Sequence, residues 1–195
     1  KMLRFPSENL FYKIGMNNTV AETDWQGNFV LSSQIWTTSR DLGRLGILYL
    51  NDGLWRGERI LPEGWRDYVS RPSGPQPASG TFGYGAGFWL MNKEAGVPAD
   101  AFSANGNRGQ FVVIIPSRGI VIVRRGEDPP GAGFDIAGFT REVLLPKLQE
   151  SGLKVGHDFF LCFSPLTPTC CSARMITRCT QQFRPRTRLR LLVVR

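Results

Sequence analysis

Phe111-Val112-Val113-Ile114-Ile115-Pro116-Ser117-Arg118-Gly119-Ile120-Val121-Ile122-Val123 is the stretch whose reading decides the fold. Two β-branched apolar runs flank a Pro-Ser-Arg-Gly segment whose proline and glycine suit a tight reversal, which predicts an antiparallel hairpin. The apolar residues are consecutive rather than alternating, so both faces of these strands are covered and a helix lies on each side.

Working outward, the helices can be found on both sides of the hairpin. Downstream, Ile136, Phe139 and Val143 form an apolar stripe that predicts a helix from about 135 to 145, interrupted by Pro146. Upstream, Thr38-Ser39-Arg40-Asp41 resembles a capping box, and Leu42, Leu45 and Tyr49 recur at helical spacing, which predicts a helix over 39–51 stopped by Gly53. Leu61-Pro62-Glu63 opens a short second helix with Trp65 and Val69 on one face, ending before Pro72. Residues 71–80 carry three prolines, two serines and two glycines and read as a surface loop; 82–91 reads as one aromatic-rich strand. Strands with a C-terminal helix packed across them make an α/β layer.

Composition narrows the function. The 195 residues are 42% hydrophobic and 21% charged, enough for one domain core and too apolar for general disorder. No run approaches the length of a membrane span, so no transmembrane segment is expected. Ser-His-Asp and Cys-His catalysis each need a well-placed imidazole, and the single histidine, His157, lies in the tail, so a hydrolase here is expected to take its base from Lys, Tyr or a carboxylate. The formal charge of +8 belongs almost wholly to residues 151–195, which also hold Cys162, Cys170, Cys171 and Cys179. Those cysteine spacings fit no zinc frame, and no metal site or cofactor is expected.

The remaining motifs are specific. Leu10-Phe11-Tyr12-Lys13-Ile14-Gly15-Met16, Glu22-Thr23-Asp24 with Gly27-Asn28-Phe29-Val30, and Ser32-Ser33 leading into Thr38-Ser39-Arg40-Asp41-Leu42-Gly43-Arg44-Leu45-Gly46 closely resemble the serine β-lactamase-like hydrolases. That family includes class C β-lactamases, DD-peptidases, esterases and 6-aminohexanoate-dimer hydrolases. The last branch is nearest in texture: Asn51-Asp52-Gly53-Leu54-Trp55, Arg59-Ile60-Leu61-Pro62-Glu63-Gly64-Trp65 and Tyr84-Gly85-Ala86-Gly87-Phe88-Trp89 look like its phrases. The resemblance covers about residues 3 to 148.

It implies a partial β-lactamase-like fold and acyl transfer, in which the serine of a Ser-x-x-Lys motif attacks an amide or ester carbonyl and water later releases the acyl group. A Lys and the Tyr of a Tyr-x-Asn motif share the proton transfers. Ala104-Asn105-Gly106 best matches the family's third motif, on a strand edging the cleft. Asn105, Gly106 and Asn107 are therefore the expected substrate-binding residues, with the Asn107 N–H in the oxyanion hole and Gly106 allowing close approach. Asn-Gly is also an ordinary turn dipeptide.

In the family the nucleophile and Tyr-x-Asn precede the segment with which this chain starts, so no catalytic residue is expected here. Ser151-Gly152-Leu153-Lys154 spells Ser-x-x-Lys but follows the last helix. Tyr49-Leu50-Asn51 spells Tyr-x-Asn, yet Tyr49 shares the stripe of Leu42 and Leu45 and is expected in the core. Trp36, Tyr84, Phe88 and Trp89 could line an acyl pocket but are expected in the core as well. Asp24, Asp41 and Asp52 are expected at caps and turns.

The chain thus reads as residues 1–150, the C-terminal part of a serine hydrolase domain cut from something longer, and residues 151–195, a basic, cysteine-containing tail without structure or foreign to the family. An abrupt change to Arg, Cys, Thr and Pro is what translation in a shifted frame looks like. The expected partners are a small-molecule ester or amide substrate of the parent enzyme and the N-terminal part of the fold; no specific nucleic acid is expected. The strand at 120–123 is expected to lack a neighbour on one side and to promote self-association through that edge. The non-enzymatic alternative is an interaction module whose Arg174, Arg178, Arg184, Arg186, Arg188, Arg190 and Arg195 meet nucleic acid or an anionic membrane surface.

Overall fold

The hairpin at 111–123 forms and lies inside a larger sheet. A computed structural model describes residues 2–30, 33–145, 160–163 and 190–194. In chain order its strands and α-helices are β1 (Val20–Ala21), β2 (Ile35–Trp36), α1 (Ser39–Leu50), β3 (Leu54–Trp55), β4 (Glu58–Arg59), α2 (Trp65–Val69), β5 (Gly83–Tyr84) and β6 (Trp89–Leu90). There follow β7 (Phe102–Gly106), β8 (Gln110–Ile115), β9 (Ile120–Arg124), α3 (Ile136–Leu144), β10 (Phe160–Phe163) and β11 (Arg190–Val194). Among the described residues, seven strands share one sheet in the order β10-β11-β9-β8-β7-β6-β5, antiparallel from β5 through β9.

The consecutive apolar residues of β8 and β9 divide between two helices. Val112, Ile114, Val121 and Val123 face α1, where Leu42, Ile47 and Tyr49 pack against them. Val113, Ile115, Ile120 and Ile122 face α3 and meet Ile136 and Ala137. Each such side chain taken from water contributes about 1.5–3 kcal/mol, so these two strands carry much of the apolar stabilisation. Gly46 lets α1 lie close: a Cβ there would collide with the Val121 side chain. A third cluster of Phe11, Ile14, Met16, Leu48 and Trp55 joins the N-terminal segment to the far side of α1.

Helix ends follow the capping chemistry. Thr38 is extended and its Oγ1 accepts the Asp41 N–H at 3.2 Å. Gly53, at φ +80°, ends α1 by donating its N–H to the Leu48 carbonyl at 2.8 Å. Asp135 caps α3 by accepting the Gly138 N–H at 2.7 Å.

Three expectations are corrected. Residues 82–91 are not one strand but the pair β5 and β6, because Gly85 and Gly87 break the run and the Gly85 N–H turns back to the Phe88 carbonyl. The second helix begins at Trp65 rather than at Pro62, since the left-handed Gly64 and the Asp52 carboxylate set its start. The outer edge of β9 is not unpaired: β11 lies parallel to it with Ile120 opposite Arg190, and β10 lies parallel to β11. Leu191-Leu192-Val193-Val194 is itself a short apolar run, and an open ladder of N–H and C=O groups favours pairing with one.

Gly85 is buried where a Cβ would strike the Val69 carbonyl oxygen, with the Arg71 carbonyl oxygen at 2.9 Å. Both obstacles are backbone, so Gly85→Ala is expected to cost about 1–3 kcal/mol. Gly133→Ala, where a Cβ meets nothing within 4 Å, is the control. Urea midpoints of the two variants check this: equal midpoints would contradict the close approach of β5 to the end of α2.

Candidate functional site

The residues expected at the site lie at the end of one strand. Ser103 pairs with Val113, Ala104 with Val112, Asn105 with Phe111 and Gly106 with Gln110. Beyond that closing pair, residues 107–109 reverse the chain, with Arg108 at φ +58° and Gly109 at φ +82°. Asn105-Gly106 is therefore not the turn: it ends β7, and Asn107 opens the reversal. On the other flank β6 pairs only with Phe102 and Ser103. Among the described residues, Ala104 to Gly106 thus have no strand partner on that side, and Gly106 and Asn107 are exposed.

Such a flank offers backbone N–H and C=O groups to an extended ligand, beside an exposed turn. Gly106 has a further reason to lack a side chain, since a Cβ there would sit 2.9 Å from that of Gln110. Ser103 and Asn105 point to the α3 side with Val113 and Phe111, and Ser103 Oγ and Asn105 Oδ1 are buried with no hydrogen-bond partner among the described residues.

The turn is tied to its surroundings. Behind it, Arg124 ends β9 at only 5% exposure; its guanidinium donates to the Gly109 carbonyl at 2.8 Å and to both Asp128 oxygens at 2.9 and 2.7 Å. These bonds from Arg124 hold the Asp128 carboxyl below its ordinary value of 3.8, against partial burial. Arg125 donates to Gln110 Oε1 at 2.7 Å and reaches the Thr37 carbonyl, next to β2. Thr37 shares a hydroxyl contact of 2.6 Å with Thr19, which donates to Asp41 Oδ2 at 3.1 Å.

The carboxylates serve the fold, as expected, but not always their own helix. Asp41 is fully buried and accepts from the Asn18 N–H at 2.9 Å, from Thr19 and from Arg44, so its side chain completes no capping box. Asp24 accepts the Gln26 and Asn28 N–H groups, of which the Asn28 bond lowers its pKa most. Asp52 caps α2 through the Gly64 and Arg66 N–H groups at 2.8 and 3.0 Å. Burial raises the Asp52 carboxyl, but those donors and the charges of Arg66 and Arg59 outweigh it and its pKa is lowered.

Tyr49 takes no place at the site. Its ring packs 4.9 Å from that of Phe88, and burial raises its phenol pKa despite a hydrogen bond with Trp65, the opposite of what a proton-accepting tyrosine needs. Phe88 is buried, and Tyr84 and Trp89 are half-buried with rings 5.0 Å apart, edge to face. Trp36 is not in the core: it is 58% exposed opposite Val20 on the small β1–β2 ribbon, because two short strands have no second layer to bury it. Ser151-Gly152-Leu153-Lys154, His157, Cys170, Cys171 and Cys179 lie outside the described residues.

Sequence reasoning missed the Arg124, Asp128 and Arg125 ties. An Arg and an Asp four apart signal a pair on a helix, and residues 125–128 form a loop, so the spacing carried no message there. Two open surface clefts, one of about 550 Å³ between Val97 and the end of α3 and one of about 380 Å³ beside α2, include none of the expected site residues. Among the described residues, no group of three His, Cys, Asp or Glu is placed to hold a metal, and no helix is long and apolar enough to cross a membrane.

Comparison with known proteins bears on these features. The chain is similar to a solved structure named "Putative 6-aminohexanoate-dimer hydrolase from Bacillus anthracis", at 29% identity and a TM-score of 0.48 over 57% of this chain. This chain spans 29% of that protein's length. No curated protein matches it. The family model described as Beta-lactamase matches residues 6–142, from the N-terminal segment through the sheet and nearly to the end of α3. A match over that much of the molecule settles its kinship: the chain belongs to the beta-lactamase family.

Proposed function

We propose that this chain is the C-terminal part of a serine hydrolase that cleaves amide or ester bonds through an acyl-enzyme. The observation that carries the reading is the flank of Ala104 to Gly106, which has no strand partner among the described residues and ends in an exposed turn that begins with the Asn107 N–H. A substrate's acyl portion lies along that flank. Its carbonyl oxygen takes a hydrogen bond from Asn107, which stabilises the negative charge formed when a serine oxygen adds to the carbonyl carbon. The amine or alcohol then leaves with a proton, the acyl group stays on the serine, and water releases it as the acid.

The serine and lysine of Ser-x-x-Lys and the tyrosine of Tyr-x-Asn come from a part of the fold outside this sequence, which is the chain's first partner. Alone it polarises a carbonyl but forms no covalent intermediate. The purified 195-residue chain is expected to take up no fluorophosphonate and to leave nitrophenyl esters intact, while the chain joined in frame to its upstream coding sequence is labelled at one serine. Fluorophosphonate-sensitive turnover by the 195-residue chain would overturn this division of labour.

Two further proposals concern partners. Self-association along a strand edge would use the outer flank of β10, the last strand of the sheet order. The non-enzymatic alternative rests on the arginines from 174 to 195; polyanion binding at physiological salt that vanishes on removing residues 155–195 would support it, and its absence would dismiss it.

A further inference from the structure

We propose that Arg124 and Asp128 are positioning residues for the turn at residues 107–109, holding the Asn107 N–H toward the open flank of β7. The proposal rests on the hydrolase reading for its purpose, but its geometry stands independently. Arg124 places its guanidinium under the turn and donates to the Gly109 carbonyl and to both oxygens of Asp128. Asp128 returns to the same turn, because its N–H donates to the Arg108 carbonyl at 3.1 Å and its own carbonyl accepts from Arg108 Nε at 3.3 Å. The last two carbonyls of the reversal are thus both held. Gln110 closes the arrangement by donating to the Gly126 carbonyl.

A buried guanidinium is costly unless its donors are paired, and an apolar residue would serve the sheet at least as well. The ladder does not require the charge: β8 and β9 pair from Phe111 opposite Arg124 to Ile115 opposite Ile120 through backbone groups. The pair therefore answers a need of the turn. That need is visible at Arg108, a side-chain-bearing residue held at φ +58°, in the left-handed region that side chains disfavour. The fit is also tight, since a Cβ on Gly109 or Gly126 would strike the Arg124 guanidinium. Phe134 fixes the guanidinium from the other side, with its ring centroid 3.8 Å away, and itself packs on Phe111 and Phe139.

The test uses the intact, ¹⁵N-labelled 195-residue chain. In the unaltered protein, backbone order parameters at 107–109 are expected near the rigid value of about 0.85; in Arg124→Lys and in Asp128→Asn they are expected below about 0.6. Order at 112–115 and 121–123 stays unchanged in both variants, which separates a positioning role from loss of the fold. Unchanged order at 107–109, or loosening of the whole sheet together, overturns the proposal. In the chain joined to its nucleophile-bearing part, the same variants are expected to lower kcat by up to about 10²-fold with KM unchanged, and Asp128→Glu to restore most of it. If that protein hydrolyses nothing, the hydrolase reading fails, and the order parameters still decide the role of the pair.

Discussion

Asn107→Pro, placed in the chain joined to its Ser-x-x-Lys-bearing part, is expected to lower kcat by about 10²–10³-fold while KM changes little. Proline removes the backbone hydrogen, the one atom that the proposed reaction would use at this position, and leaves the carbonyl. The residue before it, Gly106, already lies in the extended β7, the region that a following proline favours, so the substitution does not force the strand apart. The loss falls on kcat because the donor meets the oxygen most strongly once that oxygen is negative. Asn107→Ala keeps the N–H and is expected to stay within a few-fold of the unaltered protein. Steady-state hydrolysis of a nitrophenyl ester measures both; equal rates for the proline and alanine variants would remove Asn107 from the oxyanion hole.

The second large effect is on stability. Phe102 is fully buried, with its ring 5.3 Å from that of Phe88 at 78°, and shares a cluster with Leu50, Val69 and Leu90. It also stands between two strands, opposite Leu90 on β6 and Ile114 on β8. Phe102→Ala is expected to cost about 3–5 kcal/mol, because neighbours fixed in a sheet cannot collapse into the space left. Against a total of about 5–15 kcal/mol for an ordinary domain, that unfolds a large share of the molecules at physiological temperature. Phe102→Leu is expected to lose much less. Chemical unfolding followed by tryptophan fluorescence checks it, and a cost below about 1 kcal/mol would mean that β7 is not packed as described.

Much of this architecture was legible before any coordinates. The β8–β9 hairpin, α1 and α3 announce themselves through unbroken β-branched runs, a hydroxyl cap at Thr38 and a stripe at Ile136, Phe139 and Val143, signals carried within a dozen residues. The covering of both sheet faces followed from the absence of alternation. What local patterns do not carry is partner choice over distance. Trp36 looks like a core residue in isolation and is exposed because of what stands beside it; the apolar run at 191–194 is too short to name β9 as its neighbour. The split of 82–91 into two strands turns on Gly85, whose meaning depends on the Val69 carbonyl. Asn105, Gly106 and Asn107 were singled out by kinship, and the bonds of Arg124 and Asp128 to the turn beside them show only in the folded loop.

The order of strands in the sheet carries a kinetic meaning. From β5 to β9 each strand pairs with its successor across connections no longer than residues 91–101, so this meander closes small loops and can form early. β11 reaches β9 only after a separation of about 70 residues, as the opposition of Ile120 and Arg190 shows. Contacts so far apart in the chain come late. During synthesis from the N-terminus, β9 is complete before its parallel neighbour exists, and its edge stays available to other chains for that interval. Yield on expression should therefore respond to temperature and synthesis rate more than the final stability would suggest.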